Sequence, residues 1–161
     1  MAPQTIARLL TEWATLFVLV VGPGLVAGLL WSPFLGSDRL RSLFERLWPG
    51  GSPAVSYPLA MVGLSLPWVV AAGGAIVRGS PEELAMANAL LDVVVGLSAL
   101  YLVGLPLVAG FGLPRAGIDW DDTGYGPRTW ALLVGGASWY VALLATPTLA
   151  LSVGLALGGG P

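Results

Sequence analysis

The sequence predicts an all-α integral membrane protein: a four-helix transmembrane bundle with a short amphipathic interfacial helix after the first span. Three observations carry this prediction. Of 161 residues, 56% are hydrophobic and only 10% are charged, against about 25% charged in an ordinary soluble domain. Mean hydropathy is +0.83. The charges are also segregated. The runs Trp13 to Ser37, Leu47 to Val77, Leu84 to Pro114 and Thr129 to Pro161 hold a single charge between them, Asp92. Each run exceeds the ~20 residues that a helix needs to cross a bilayer core.

Spans are therefore predicted near 13–35, 54–77, 81–112 and 130–157, in one membrane domain covering 1–161. The first follows only Arg8 and Glu12. Its apolar stretch is longer than the ~7–15 residues of a signal-peptide core and ends in no A-x-A site, so it reads as a permanent helix. Between the first two spans, Leu40, Leu43, Phe44, Leu47 and Trp48 recur at helical spacing, with Arg39, Ser42, Glu45 and Arg46 opposite. That pattern predicts a helix over about 37–48 whose apolar residues anchor it in the lipid interface; a docking helix for a partner subunit is the rival reading. Ser80-Pro81-Glu82-Glu83 is a capping box opening the third span. Pro23, Pro67, Pro106 and Pro147 fall within or near the spans, where ordinary kinks are the plain expectation and hinges around a site the functional one. Trp13, Trp31, Trp48, Trp120 and Trp130 lie near span ends, where indoles favour the headgroup layer. Trp68 and Trp139 lie deeper, as packing residues.

Two weaker patterns accompany the spans. Val21 to Gly28 resembles Val103 to Gly110, which suggests a 2+2 internal duplication at offset 82; a composition so rich in Val, Gly, Leu and Ala also yields such matches by chance. Gly24 and Gly28, and likewise Gly154 and Gly158, have the spacing of the small-residue packing motif, but such pairs are no commoner than chance in this glycine-rich chain.

The composition excludes much chemistry. Cys and His are absent, and every base is Arg. Thiol nucleophiles, iron–sulfur clusters, imidazole ligands, Ser–His–Asp triads and lysine Schiff bases are thereby removed. Asp119, Asp121 and Asp122 begin like a calcium loop, but the twelfth position is Trp130, so the match fails and a solvated acidic turn is the better reading. No metal, cofactor or nucleic-acid partner is expected. Arginine without lysine, with a pI of 4.8, fits a GC-rich, salt-loving source.

Asp92 is the singular residue. It lies nine residues past Glu83, about 13 Å along a helix and near the membrane midplane, where an ionised Asp costs at least ~2.5 kcal/mol. Ala85, Asn88, Ala89, Asp92, Gly96 and Ala99 form a small and polar stripe expected to face the bundle interior. Asn88 is the nearest hydrogen-bond partner, with Ser65, Ser138 and Thr146 within reach from other helices. The expected function is that of a structural or accessory membrane subunit without catalysis, in contact with the lipid bilayer and with other membrane subunits or copies of itself. The alternative is a proton- or cation-coupled transporter or channel using Asp92 and Asn88. Arg39, Arg41, Arg46, Arg115 and Arg128 against Arg8 and Arg78 place loops 36–53 and 113–129 in the cytoplasm and both termini outside the cell membrane.

Overall fold

The computed structural model describes residues 3–47, 52–78 and 83–158, with side chains from residue 11 onward. Trp48 and the first three residues of the capping box, Ser80, Pro81 and Glu82, lie outside the described residues. The elements run α1 (Pro3–Trp31), a 3-10 turn (Ser32–Gly36), α2 (Asp38–Arg46), α3 (Pro53–Arg78), α4 (Glu83–Leu107), a π-helical turn (Val108–Gly112), α5 (Leu113–Arg115) and α6 (Pro127–Gly158). There is no strand among the described residues. Four helical stretches, Thr11–Gly36, Pro53–Arg78, Glu83–Arg115 and Pro127–Gly158, are long and apolar enough to span a membrane. Their outward faces fit that role: Val70 is 71% exposed and Val77 84%, a surface that water would not tolerate over a whole bundle.

The internal prolines stay inside continuous helices, Pro23 in α1, Pro58 and Pro67 in α3, Pro106 in α4 and Pro147 in α6. Past Pro106, α4 widens into the π turn before α5.

The helices associate most intimately as two pairs, α1 with α3 and α4 with α6. The first contact is made by glycine. A methyl group at Gly24 would lie 2.6 Å from the Val62 Cα, and one at Gly28 would lie 3.2 Å from the Met61 Cβ. Only bare backbone lets α1 approach α3 so closely. Gly154 has open space around it and Gly158 meets only Glu83 Oε2 at van der Waals distance, so of the two glycine motifs the first is a packing contact inside the chain.

At one end of the bundle, α2 lies across the helices. Its Leu40, Leu43 and Phe44 are buried, with Phe44 edge-on to Trp31 and Tyr57. The face expected to rest in the lipid interface is thus turned onto the chain's own core. Ser56 Oγ donates to the Phe44 carbonyl at 2.6 Å and holds it there. Leu47 is half-buried at the end of the helix. Two of the tryptophans expected at the headgroups are also internal. Trp31 is buried and donates from Nε1 to the Gly136 carbonyl at 2.9 Å. Trp120 is buried and donates to the Ala109 carbonyl at 2.7 Å. Trp13 is exposed and Trp68 is core, as expected, whereas Trp139 is half exposed with its N–H on the Leu30 carbonyl.

Replacing Gly24 by Val should push α1 off α3 and lower stability by about 1–3 kcal/mol. Gly154→Ala, with nothing within 4 Å of the added carbon, should be near neutral. Thermal unfolding of the two variants in the same detergent checks the pair; an equal midpoint for Gly24→Val and the parent would contradict the close α1–α3 contact.

Candidate functional site

Three features carry polar groups or empty space: a clamp between the two connecting segments, a cavity beneath it, and the outward face of α4.

The clamp starts from α2. Arg39 Nη1 donates to Thr129 Oγ1 at 2.6 Å and lies 3.4 Å from Asp121 Oδ2. The single Thr129 hydroxyl proton goes to that same carboxylate oxygen. Asp121 Oδ1 accepts from the Thr123 amide at 3.1 Å and its hydroxyl at 2.7 Å. One turn further along α2, Ser42 Oγ donates to the Trp120 carbonyl at 2.8 Å. Arg46 then forks onto both Asp122 oxygens, at 2.9 and 3.0 Å, and also reaches the Asp119 carbonyl. Asp119 Oδ1 accepts from the Tyr125 hydroxyl at 2.8 Å, and burial together with that hydrogen bond raises the Tyr125 pKa.

The acidic turn expected to be solvated is therefore split. Asp122 faces water, but Asp121 is only 4% exposed. Burial pushes the Asp121 carboxyl up, yet the hydrogen bonds from Thr129 and Thr123 and the charge of Arg39 outweigh it and hold its pKa below the usual value. The exposed Arg46–Asp122 pair adds only ~0.2–1 kcal/mol; the Arg39–Thr129–Asp121 cluster is the firmer half. It brings the 36–53 and 113–129 segments together at one end of the bundle.

Beneath α2 lies a cavity of about 350 Å³. Leu40, Leu43 and Phe44 of α2 roof it, and Met61, Leu105 and Ala137 are among its walls on α3, α4 and α6. It occupies the seam between the two tight helix pairs. Its surface is almost wholly carbon, because the polar atoms at its edge are committed to backbone: the Tyr140 hydroxyl donates to the Met61 carbonyl at 2.7 Å and Trp31 Nε1 to Gly136. Sequence reading missed the cavity. The available signal was the shortage of bulk where α3 and α6 face each other, at Ala60, Gly63, Gly136 and Ala137.

Asp92 and Asn88 are both exposed on the outer face of α4, with Ala85, Gly96 and Ala99 exposed beside them and Ala89 half-buried. The stripe expected to face the interior faces outward, because Ala87, Leu90, Val94 and Tyr101 take the buried side of the helix. Neither Asp92 nor Asn88 has a hydrogen-bond or ion-pair partner among the described residues. The partners expected from other helices are engaged or turned away. Ser65 donates to the Val62 carbonyl and Thr146 to the Ala142 carbonyl, and Ser138 is exposed. Asp92 does not line the cavity.

Because the folded Asp121 pKa is depressed, the stability this carboxylate contributes is full above its unfolded value of ~3.9 and is lost as pH falls below that through the folded pKa. Tryptophan fluorescence in detergent, to which buried Trp120 contributes, should thus hold steady from neutral pH to about 5 and change only below about 4. Asp121→Asn should loosen α2 already at neutral pH, by about 1–3 kcal/mol. A transition centred near neutrality in the parent would count against the clamp.

No curated protein and no solved structure matches the chain. A family described as a domain of unknown function, DUF8162, matches residues 11–159. That range takes in all four long helices, the clamp, the cavity and Asp92, and the chain belongs to this family.

Proposed function

We propose that the chain is a non-catalytic, multi-pass membrane protein that serves as a structural or accessory subunit, associating with its neighbours through the outer face of α4. The observation that supports this reading is the outward placement of Asp92 and Asn88. Asp92 lies seven residues from the middle of the Glu83–Arg115 stretch, about 10 Å along the axis and so within the ~15 Å half-thickness of a hydrocarbon core. A carboxyl and a carboxamide one turn apart, turned toward acyl chains, leave several donors and acceptors that lipid cannot satisfy. A second transmembrane helix can satisfy them. The flanking Ala85, Gly96 and Ala99 let its backbone come close. The proton- or cation-coupled alternative needs Asp92 on a hydrated path, and the carbon-lined cavity elsewhere in the bundle lends it no support.

The same reading places the clamp end in the cytoplasm and both termini outside, since Arg39, Arg41, Arg46, Arg115 and Arg128 belong to the clamp end and Arg positions near span ends set orientation. A C-terminal reporter active only in the cytoplasm should stay silent; a strong signal would reverse the topology.

The association is tested with a photo-cross-linker at position 99 in native membranes. It should give a discrete adduct, to a second copy or to another membrane protein, whereas the same group at position 29 on the outer face of α1 should not. Asp92→Leu should reduce the adduct several-fold, and Asp92→Asn, which keeps hydrogen bonding, should preserve it. A chain that stays free of adduct at position 99, or an adduct indifferent to Asp92→Leu, refutes the subunit reading.

A further inference from the structure

We propose that the cavity beneath α2 is a binding site for one acyl chain of a bilayer phospholipid. This needs the bundle to sit in a membrane but is independent of the α4 face.

The chemistry of the wall selects the ligand. The Tyr140 hydroxyl and the Trp31 indole N–H are both spent on backbone carbonyls, so no free donor remains there for a polar molecule. Water needs two to four polar partners to be held in such a space, and the wall does not provide them. What fits is hydrocarbon. The shape selects further. A helix with its side chains is ~10–12 Å across, too thick for about 350 Å³ already walled by helices, so the occupant is a slender chain and not a partner's span. The volume is at the low end of small-molecule sites, roughly 300–1,000 Å³, and holds a single aliphatic tail.

The entrance selects the source. Gly63 on α3 and Val108 on the π turn both line the cavity and both are exposed, so the space opens sideways between α3 and α4, where a bilayer presents acyl chains. A methyl group at Gly63 would meet nothing within 4 Å, and this keeps the α3 side of the mouth wide. Above, α2 is locked shut by Arg39, Ser42 and Arg46. The tail therefore enters laterally while the glycerol and headgroup stay outside in the membrane.

The test uses the full chain in phosphatidylethanolamine–phosphatidylglycerol vesicles carrying a trace of phospholipid with a diazirine near the end of one acyl chain. After irradiation and peptide mapping, label on Met61 and Ala137 inside the cavity should exceed label on Val70 and Leu29 on the outer surface several-fold. An isoprenoid hydrocarbon added to the vesicles should not displace the internal label. Gly63→Phe, which fills the mouth, should reduce the internal label to the level of the outer surface without lowering the thermal midpoint. If that variant unfolds, Ala137→Leu, which fills the space from within, gives the same readout. Internal label no greater than the outer label, internal label unchanged in a folded filled variant, or selective displacement of the internal label by an isoprenoid would each overturn the proposal.

Discussion

The structure depends on one constraint: a helix that ends in apolar surroundings must find donors for its last carbonyls. α1 stops at Trp31, and its final carbonyls have no intrahelical partner. The Tyr57 hydroxyl takes Gly28, Ser32 Oγ takes Leu29 at 2.7 Å, and the Trp139 indole takes Leu30 at 3.1 Å. Hydroxyls also reach carbonyls inside the helices: Tyr101 donates to Leu64 of α3 at 2.6 Å and Ser152 of α6 to Ala87 of α4 at 2.7 Å, each as a second bond on the other lone pair of an oxygen that its own helix engages. In water the last carbonyls of α1 would be solvated; in hydrocarbon each one left bare costs ~1–3 kcal/mol. A chain with so few polar side chains spends them on its backbone, and each of these bonds between elements fixes how two of them meet.

Trp31 shows how much this accomplishes. It stacks on Phe34 with ring centroids 4.9 Å apart, meets Phe44 edge-on and lies 5.9 Å from Tyr57. A methyl group at Gly136 would come within 2.9 Å of its ring. One side chain thus joins α1, α2, α3 and α6 through contacts that need a glycine on the far helix. Gly110 does the same for Trp130, with 2.8 Å between ring and added carbon.

The four long apolar helices were legible because a charge-free run of sufficient length has one common explanation, and their number and approximate limits follow from counting. What covers each face was less legible. The Leu40–Leu43–Phe44 stripe says that α2 has an apolar side, and lipid and protein core satisfy that pattern equally well; only the clamp residues, distant in sequence, turn it inward. The Asp92 stripe has the same ambiguity. Helical periodicity groups Ala85, Asn88, Asp92 and Gly96 on one side without saying which way that side turns, and the larger Leu90, Val94 and Tyr101 win the interior. The cavity was invisible because it is made by residues that fail to meet, and its volume arises from several helices together.

The clamp ties residues far apart in the chain: Arg39 to Asp121 across 82 positions and Arg46 to Asp122 across 76. During synthesis, α1, α2 and α3 are finished long before Asp121, Asp122 and Thr129 exist. The Gly24 contact between α1 and α3 draws on the first half of the chain alone, while Arg39 and Arg46 wait without their carboxylates. Closure of the clamp therefore reports that the second hairpin has arrived and docked in register. A chain that ends before residue 119 leaves both arginines of α2 without these partners, so the clamp marks a completed bundle from an unfinished one.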